Sequence, residues 1–373
     1  MIRLLHLADL HLGAKFNWLG SKGKTRRKDL SDAFSRAIDF ALSDKNKIDA
    51  VIISGDIFDS HVPPNDDLEL FRAEISRLKK SKIRCVLIPG NHDGFEYADS
   101  VWREDLQWVH LLKEPAIDKP VTIPLNETDC HFYGFAFDSQ LSKPPFDEFK
   151  RKDAAGFHIA LIHGSLIDGS QFEMHNRNVP LDKKKLSKSG MDYIALGHYH
   201  NFQEIDANGV KIVYPGTLEG LRFGEDGGRY LLVAELSENG ISLKKESFNK
   251  RTLISEELNL NGAEDAAAAI RDKLSALASE NNLLKLKLTG STGRIPDSSA
   301  LRSAYEDQFF HLELKDEISI FGSEGIEMIR QEKTVRGAFV TKLIDDIENL
   351  DKRERKVREL ALRKGLESLS GTG

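Results

Sequence analysis

The sequence predicts an α/β protein: a two-sheet sandwich flanked by helices, then a small α+β domain and C-terminal helices. Three observations lead there. Over residues 2–90, short apolar runs alternate with helical patterns, which is the mark of βαβ units with largely parallel pairing. From residue 131 onward, strand-like runs follow one another with few helices between them, so a second sheet is needed. Around residue 252 the pattern starts afresh as strand, helix, strand, helix, strand. The length of 373 residues also favours more than one domain, at about 150 residues each.

Taken in order, IRLLHLA (2–8) reads as a strand, and LSDAFSRAIDFAL (30–42) carries apolar residues at helical spacing. DAVIISG (49–55) is a buried strand, DDLELFRAEISRL (66–78) a helix and IRCVLIPG (83–90) a third strand. The second group is HFYGFAF (131–137), FHIALIHG (157–164), DYIALGHYH (192–200), KIVYPG (211–216) and RYLLVAEL (229–236). Asn239-Gly240 marks a hairpin turn after the last of these. Residues 252–325 form the compact βαβαβ unit. Residues 326–373 are rich in mixed charge and read as one long amphipathic helix or two. Phe339, Leu343, Ile347 and Leu350 lie at i, i+4, i+8 and i+11 on one face.

Composition narrows the class. Hydrophobic residues are 40% and charged residues 30% of the chain, which describes a globular protein and not a disordered one. No apolar run approaches the ~18 residues that would span a bilayer. MIRLLHLADLHLG is broken by His6 and Asp9 and reads as a first strand, not a signal peptide. Cys85 and Cys130 supply no disulfide framework and fit reduced thiols in a cytoplasmic protein. The net charge of −6 argues mildly against an obligate nucleic-acid binder, although bound metal ions or a basic partner supply positive charge locally.

Five strand ends share one layout, an apolar run that stops at metal-ligand residue types. They are LADLHLG (Asp9, His11), IISGDIFD (Asp56, Asp59), LIPGNHD (Asn91, His92, Asp93), ALIHGS (His163) and ALGHYH (His198, His200). Parallel α/β sheets place their ligands at such ends. In Asp-x-His and His-x-His the two-residue step turns both side chains to one face of an extended chain. Imidazole and carboxylate together suit Mn, Fe or Zn. A lone histidine on a strand is more often a hydrogen-bonded core residue, and GNHD by itself is also a turn sequence. Five ends in succession outweigh that reading. His6, His61, His110, His131, His158, His175 and His311 fall outside the pattern and keep it.

This ordered set, D-x-H, G-D-x-x-D, G-N-H-D, H and G-H-x-H from Asp9 to His200, resembles the calcineurin-like metallophosphoesterases over residues 1–251. The resemblance implies two divalent metal ions. One would be held by Asp9, His11, Asp56 and His200. The other would be held by Asp56, Asn91, His163 and His198, with Asp56 bridging. Two divalent cations outweigh the carboxylates of Asp9 and Asp56, so the site would attract a phosphodiester anion. His92 would face the substrate and stabilise or protonate the leaving oxygen. Asp59 and Asp93 would lie behind the ligands, Asp93 capping its loop or orienting His92.

Within that superfamily, ADLHLG with GDIFD is similar to the SbcD-type DNA repair nucleases, and PGTLEGLRFGEDGGRYLLV (215–233) resembles a segment of YhaO-like members. The resemblance implies a DNA exonuclease and endonuclease, with manganese the favoured metal. It also implies a capping domain with possible DNA binding, a homodimer and no membrane association. The C-terminal helices would dock on an SbcC-type coiled-coil ABC ATPase through Phe339, Leu343, Ile347 and Leu350. Asp59 stands where archaeal and eukaryotic members have histidine, so no catalytic histidine is carried over there. The alternatives are a phosphodiesterase of small nucleotides or phosphoproteins, and a metal-free binding scaffold. For the tail, the alternative is a helix packed on its own domain.

Overall fold

In this computed structural model, which describes residues 1–104, 109–113, 117–134, 149–167, 179–292, 296–318, 323–344 and 350–370, the apolar runs of the first half become strands of two sheets. The chain forms two units, Met1–Thr252 and Leu253–Gly373.

The first unit opens with β1 (Ile2–Leu7), α1 (Gly23–Leu42), β2 (Ala50–Ser54), α2 (Asn65–Lys80), β3 (Arg84–Ile88) and β4 (Val109–Leu111). It continues with β5 (Val121–Leu125), β6 (Thr128–Gly134), β7 (Phe157–His163), β8 (Ser165–Ile167), β9 (Pro180–Asp182), the short helix α3 (Lys183–Leu186), β10 (Tyr193–Gly197), β11 (Gln203–Ala207) and β12 (Val210–Tyr214). The hairpin β13 (Tyr230–Ser237) and β14 (Gly240–Ser247) closes it. One sheet has the order β14-β13-β1-β2-β3-β4, and the other β11-β12-β10-β7-β6-β5. β1 to β4 pair in parallel, as do β6, β7, β10 and β12. β13 returns to pair antiparallel with β1.

The period of two along each strand explains the layers. Leu5, Leu7, Val51, Ile53, Cys85 and Leu87 join Phe34, Ile38, Phe71 and Ile75 of α1 and α2 in one core. Their neighbours Ile2, Leu4, Ala50, Ile52, Val86 and Ile88 point the other way and meet Phe132, Ile159, Leu161, Tyr193, Ala195 and Val213 of the second sheet. Strands buried on both faces read as continuous apolar runs, which is why they stood out in the sequence. The outer face of the second sheet is covered by Phe149, Val179, Leu181, Leu186 and Met191, from loops and short elements.

Some elements were not anticipated. The 3-10 helix Asn17–Lys22 and the three-residue strands β4, β8 and β9 are too short to show a period. β5 exposes Thr122 and Pro124 and β11 exposes Gln203, Glu204 and Asp206, so neither has a continuous apolar run. Residues 135–137 of the expected strand at 131–137 lie outside the described residues.

The second unit contains β15 (Thr252–Asn259), α4 (Ala266–Leu277), β16 (Ser279–Thr289), α5 (Ser298–Tyr305) and β17 (Phe309–Asp316), with sheet order β15-β16-β17. Asp265 caps α4 by accepting from the Ala268 N–H at 2.9 Å, and Asp297 caps α5. Ile270, Leu274, Leu284, Leu286, Leu288 and Leu312 fill the space between helix and sheet. Three helices follow: α6 (Ser323–Arg330), α7 (Val335–Ile344) and α8 (Lys352–Ser370). Their own small core is Ile329, Val340, Leu362 and Leu366, with Phe339 and Leu343 packed against it. The apolar stripe expected to face a partner is therefore divided. Phe339 and Leu343 are half-buried inside the chain, Leu350 is half-buried, and Ile347 lies outside the described residues. Among the described residues, no helix is long and apolar enough to cross a membrane.

Candidate metal centre

All five strand-end motifs meet at the carboxyl ends of β1, β2, β3, β7 and β10, along one edge of the sandwich. There the backbone turns sharply. Asp9 (φ 52°), His11 (φ 45°), Asp56 (φ 51°) and His198 (φ 105°) all lie in the left-handed region that non-glycine residues avoid. Such conformations persist only where surrounding contacts hold them, and they gather at functional sites. Asp9 N–H donates to the Gly55 carbonyl and His11 N–H to the Asp56 carbonyl, both at 3.0 Å, which locks the first two loops together. A Cβ at Gly90 would overlap the Asp56 carboxylate and backbone nitrogen, so only glycine lets the third loop come this close.

The side chains converge. Asp56 Oδ2 lies 3.3 Å from His163 Nε2 and 3.7 Å from His11 Nε2. Its other oxygen accepts the His92 N–H at 2.8 Å. Asn91 Oδ1 is 3.0 Å from His163 Nε2 and 3.1 Å from His198 Nδ1. Asp9 accepts the His198 N–H at 2.9 Å. The ligand atoms of Asp9, His11 and His200 fall within 4.8 Å of one another, as do those of Asp9, Asp56 and His163, and those of His11, Asp56 and His92. Asp59 accepts the Nδ1–H of His11 at 3.1 Å, and its carbonyl lies 3.3 Å from His92 Nδ1. Asp93 is fully buried and takes the N–H groups of Gly90, Ile57 and Phe58, so it ties the GNHD loop to the GD loop.

The electrostatics suit a cation. Burial raises the Asp9 carboxyl above its ordinary range, with His163 and His200 opposing. Burial also works against charge on Asp56, but His163, His11 and His92 hold that carboxyl well below the usual range. Burial disfavours a proton on His163, yet Asp56 outweighs it and lifts the imidazole to about 9. Burial and the neighbouring His163 push His198 down to about 4. Burial and the charge of Asp56 push Asp93 up to about 7. The two buried carboxylates thus draw positive charge onto the nearest base. The fit to metal rests on one orphaned atom: His11 Nε2 is buried with no hydrogen-bond partner, while its Nδ1–H is spent on Asp59. A metal ion is the partner that would satisfy a lone pair so placed.

His6, His131 and His158 behave as core residues. His6 sits between the sheets; Tyr193 O–H donates to its Nδ1 at 2.8 Å, its Nε2–H donates to Ser54 Oγ at 3.2 Å, and Ser54 donates on to the Ala195 carbonyl at 3.1 Å. His131 and His158 bond Thr122, Tyr133 and the carbonyls of Ala155 and Ala154. His61 stacks on Tyr97, and His175 lies outside the described residues. The partners behind two candidate-ligand rings were missed from sequence: the Ser54 carbonyl, 2.9 Å from His163 Nδ1, and Glu225, 2.8 Å from His200 Nδ1. A backbone carbonyl leaves no mark in a sequence, and Glu225 sits in a glycine-rich stretch that reads as a turn.

A two-sheet sandwich with imidazoles, carboxylates and a carboxamide brought together at its strand ends defines a metal-dependent hydrolase. Residues 2–202 match the family described as Calcineurin-like phosphoesterase, and the chain belongs to that family, whose members carry a dinuclear metal centre. Over 248 residues the chain is 28% identical to "Uncharacterized metallophosphoesterase YhaO" of Bacillus subtilis, covering 65% of this chain and 59% of that protein, less than two thirds of its length. Over 313 residues it is 26% identical to the DNA double-strand break repair protein Mre11 of Sulfurisphaera tokodaii, covering 82% of this chain and 77% of the other. The Thermoplasma acidophilum protein of the same name is 30% identical over 222 residues, 58% of this chain and 56% of its own. A dimetal phosphatase from Danio rerio superposes with a TM-score of 0.42 at 13% identity, covering 66% of this chain and 96% of that one.

Proposed function

We propose that this protein is a metal-dependent DNA nuclease, the nuclease subunit of an SbcCD-like DNA repair complex. The observation that carries the chemistry is Asp56. One of its oxygens faces both His163 and His11, so this carboxylate would serve both cations. Asp9, His11, Asp56 and His200 would hold one ion, and Asp56, Asn91, His163 and His198 the other, with manganese favoured. Two such ions, when bound, supply an activated nucleophile and charge neutralisation for an in-line displacement.

The chain's own residues do the rest. His92 keeps its Nδ1 against the Asp59 carbonyl and is about a third exposed, which leaves its second ring nitrogen for a leaving oxygen. Asp59 orients both His11 and His92, and Asp93 fixes the loop that carries Asn91 and His92. DNA as substrate is supported by the relatives named as double-strand break repair proteins. We further propose a homodimer, a capping role for residues 252–325 with DNA binding, and a coiled-coil ABC ATPase partner for residues 326–373. Phe339 already lies against Gly365 of α8, so a partner groove would compete with α8 for it. Cys85 and Cys130 are buried and unpaired, in keeping with a cytoplasmic setting.

A hydrolysis assay on single- and double-stranded DNA, with Mn2+, Mg2+ or chelator, tests this reading. Cutting with Mn2+ that the chelator abolishes is the expected result. Hydrolysis of cyclic nucleotides without any of DNA would instead favour a small-nucleotide phosphodiesterase.

A further inference from the structure

The chain between β12 and β13 reaches back to His200 from both sides. The ring Nδ1 of His200 is 2.8 Å from Glu225 Oε1, and the other Glu225 oxygen accepts the Leu221 N–H at 2.8 Å. On the backbone side, the His200 carbonyl accepts from Arg229 at 2.6 Å and from the Thr217 N–H at 3.0 Å. The same guanidinium donates to Asn201 Oδ1 at 2.6 Å and, through its second terminal nitrogen, to the Glu225 carbonyl. Glu225 is 6% exposed and Arg229 3%, so water hardly competes for these bonds.

We propose that Glu225 and Arg229 form a positioning clamp for His200, setting its tautomer and ring plane so that Nε2 is presented toward Asp9 and His11. The proposal rests on the metal-centre reading but not on DNA being the substrate. A carboxylate can only accept, so its bond to Nδ1 puts the proton there and leaves the lone pair on Nε2. A carboxylate behind an imidazole also makes it a better metal ligand. Arg229 supplies what the sheet does not. β10 ends at Gly197, so no ladder bonds hold His200, and the guanidinium ties its carbonyl, the next side chain and the Glu225 backbone into one unit. A lysine could not fork in this way. His11 has a comparable carboxylate in Asp59, but the Asp59 side chain is 37% exposed, whereas that of Glu225 is 8% exposed. The ring position of His200 therefore depends on the more buried of the two acids.

The test uses the full chain, with Mn2+ calorimetry, imidazole 15N spectra of the metal-free protein and its melting temperature. Glu225→Ala should weaken Mn2+ binding by ~10–100-fold. Its His200 resonances should shift to a mixture of tautomers. Glu225→Gln keeps one acceptor oxygen and should recover part of the affinity. Arg229→Lys should fall between the wild type and Glu225→Ala. Wild-type Mn2+ affinity and an unchanged tautomer in Glu225→Ala would overturn the clamp. So would equal loss in the Ala and Gln variants together with a lowered melting temperature, since that describes loop packing alone. If the Mn2+ effect is present but the wild type cuts no DNA, the nuclease reading fails and the clamp stands.

Discussion

Asp56 and His163 meet across the two sheets, with Asp56 Oδ2 3.3 Å from His163 Nε2 and both side chains almost wholly buried. Asp56 comes from the end of β2 and His163 from the end of β7, so the pair exists only because the sandwich aligns those two edges. A buried acid and base this close form a strong cation site, and each remaining candidate ligand lies around them.

Asp56→Ala should abolish hydrolysis under every metal condition. The loss removes the oxygen that faces both His11 and His163, so at least one ion is lost or misplaced. Metal analysis of the purified variant beside an activity assay checks this. Two bound ions with retained activity would falsify the bridging role.

His92→Ala separates chemistry from binding. Its ring bonds the Asp59 carbonyl, whereas the rings of His163 and His198 both face Asn91 Oδ1. Metal stoichiometry should stay at the wild-type value while the rate falls ~10²–10⁴-fold, the usual contribution of a general acid. A variant that loses metal would make His92 a ligand, as its closeness to His11 and Asp56 allows.

His6 makes stability depend on pH. Burial holds it down to about 3, from an ordinary 6.5, and it is neutral in its chain from Tyr193 to Ser54. A folded-state pKa below the unfolded one means that the unfolded chain binds the extra proton. The contribution is complete above pH 6.5 and is lost as pH falls from there toward 3. Denaturant unfolding of the metal-free protein across this window should show a steeper loss for the wild type than for His6→Gln. Parallel curves would show that His6 does not titrate on unfolding.

The C-terminal helices should be dispensable for the metal centre. Every candidate ligand precedes residue 201 and belongs to the first unit. Deleting residues 334–373 should leave Mn2+ binding at the wild-type level and remove co-purification with a coiled-coil ATPase. Phe339 packs onto Gly365 of α8, so Gly365→Leu, which displaces that ring, should alter partner binding without touching metal uptake. A truncated chain that still captures the ATPase would place the docking surface elsewhere.

Ligand chemistry is local, and this is why the strand-end motifs could be read directly. Asp9 and His11, or His198 and His200, are two residues apart in the sequence, but they lie past the ends of β1 and β10, and it is the left-handed turns at Asp9, His11 and His198 that aim them, not the alternation of an extended chain. The buried strands were legible for a similar reason, because two apolar faces leave an unbroken apolar run. Hydrogen-bond partners are not local in this sense. His163 leans on the Ser54 carbonyl 109 residues away, and His200 on Glu225 25 residues further on, beyond β11 and β12. Nor does a run such as YLLVAEL say that β13 will leave the second sheet and pair with β1, since either edge would bury it. In the tail, the spacing of Phe339 and Leu343 shows that an apolar face exists. That α8 covers it follows only from the fold, because periodicity records which residues seek shelter and not which surface gives it.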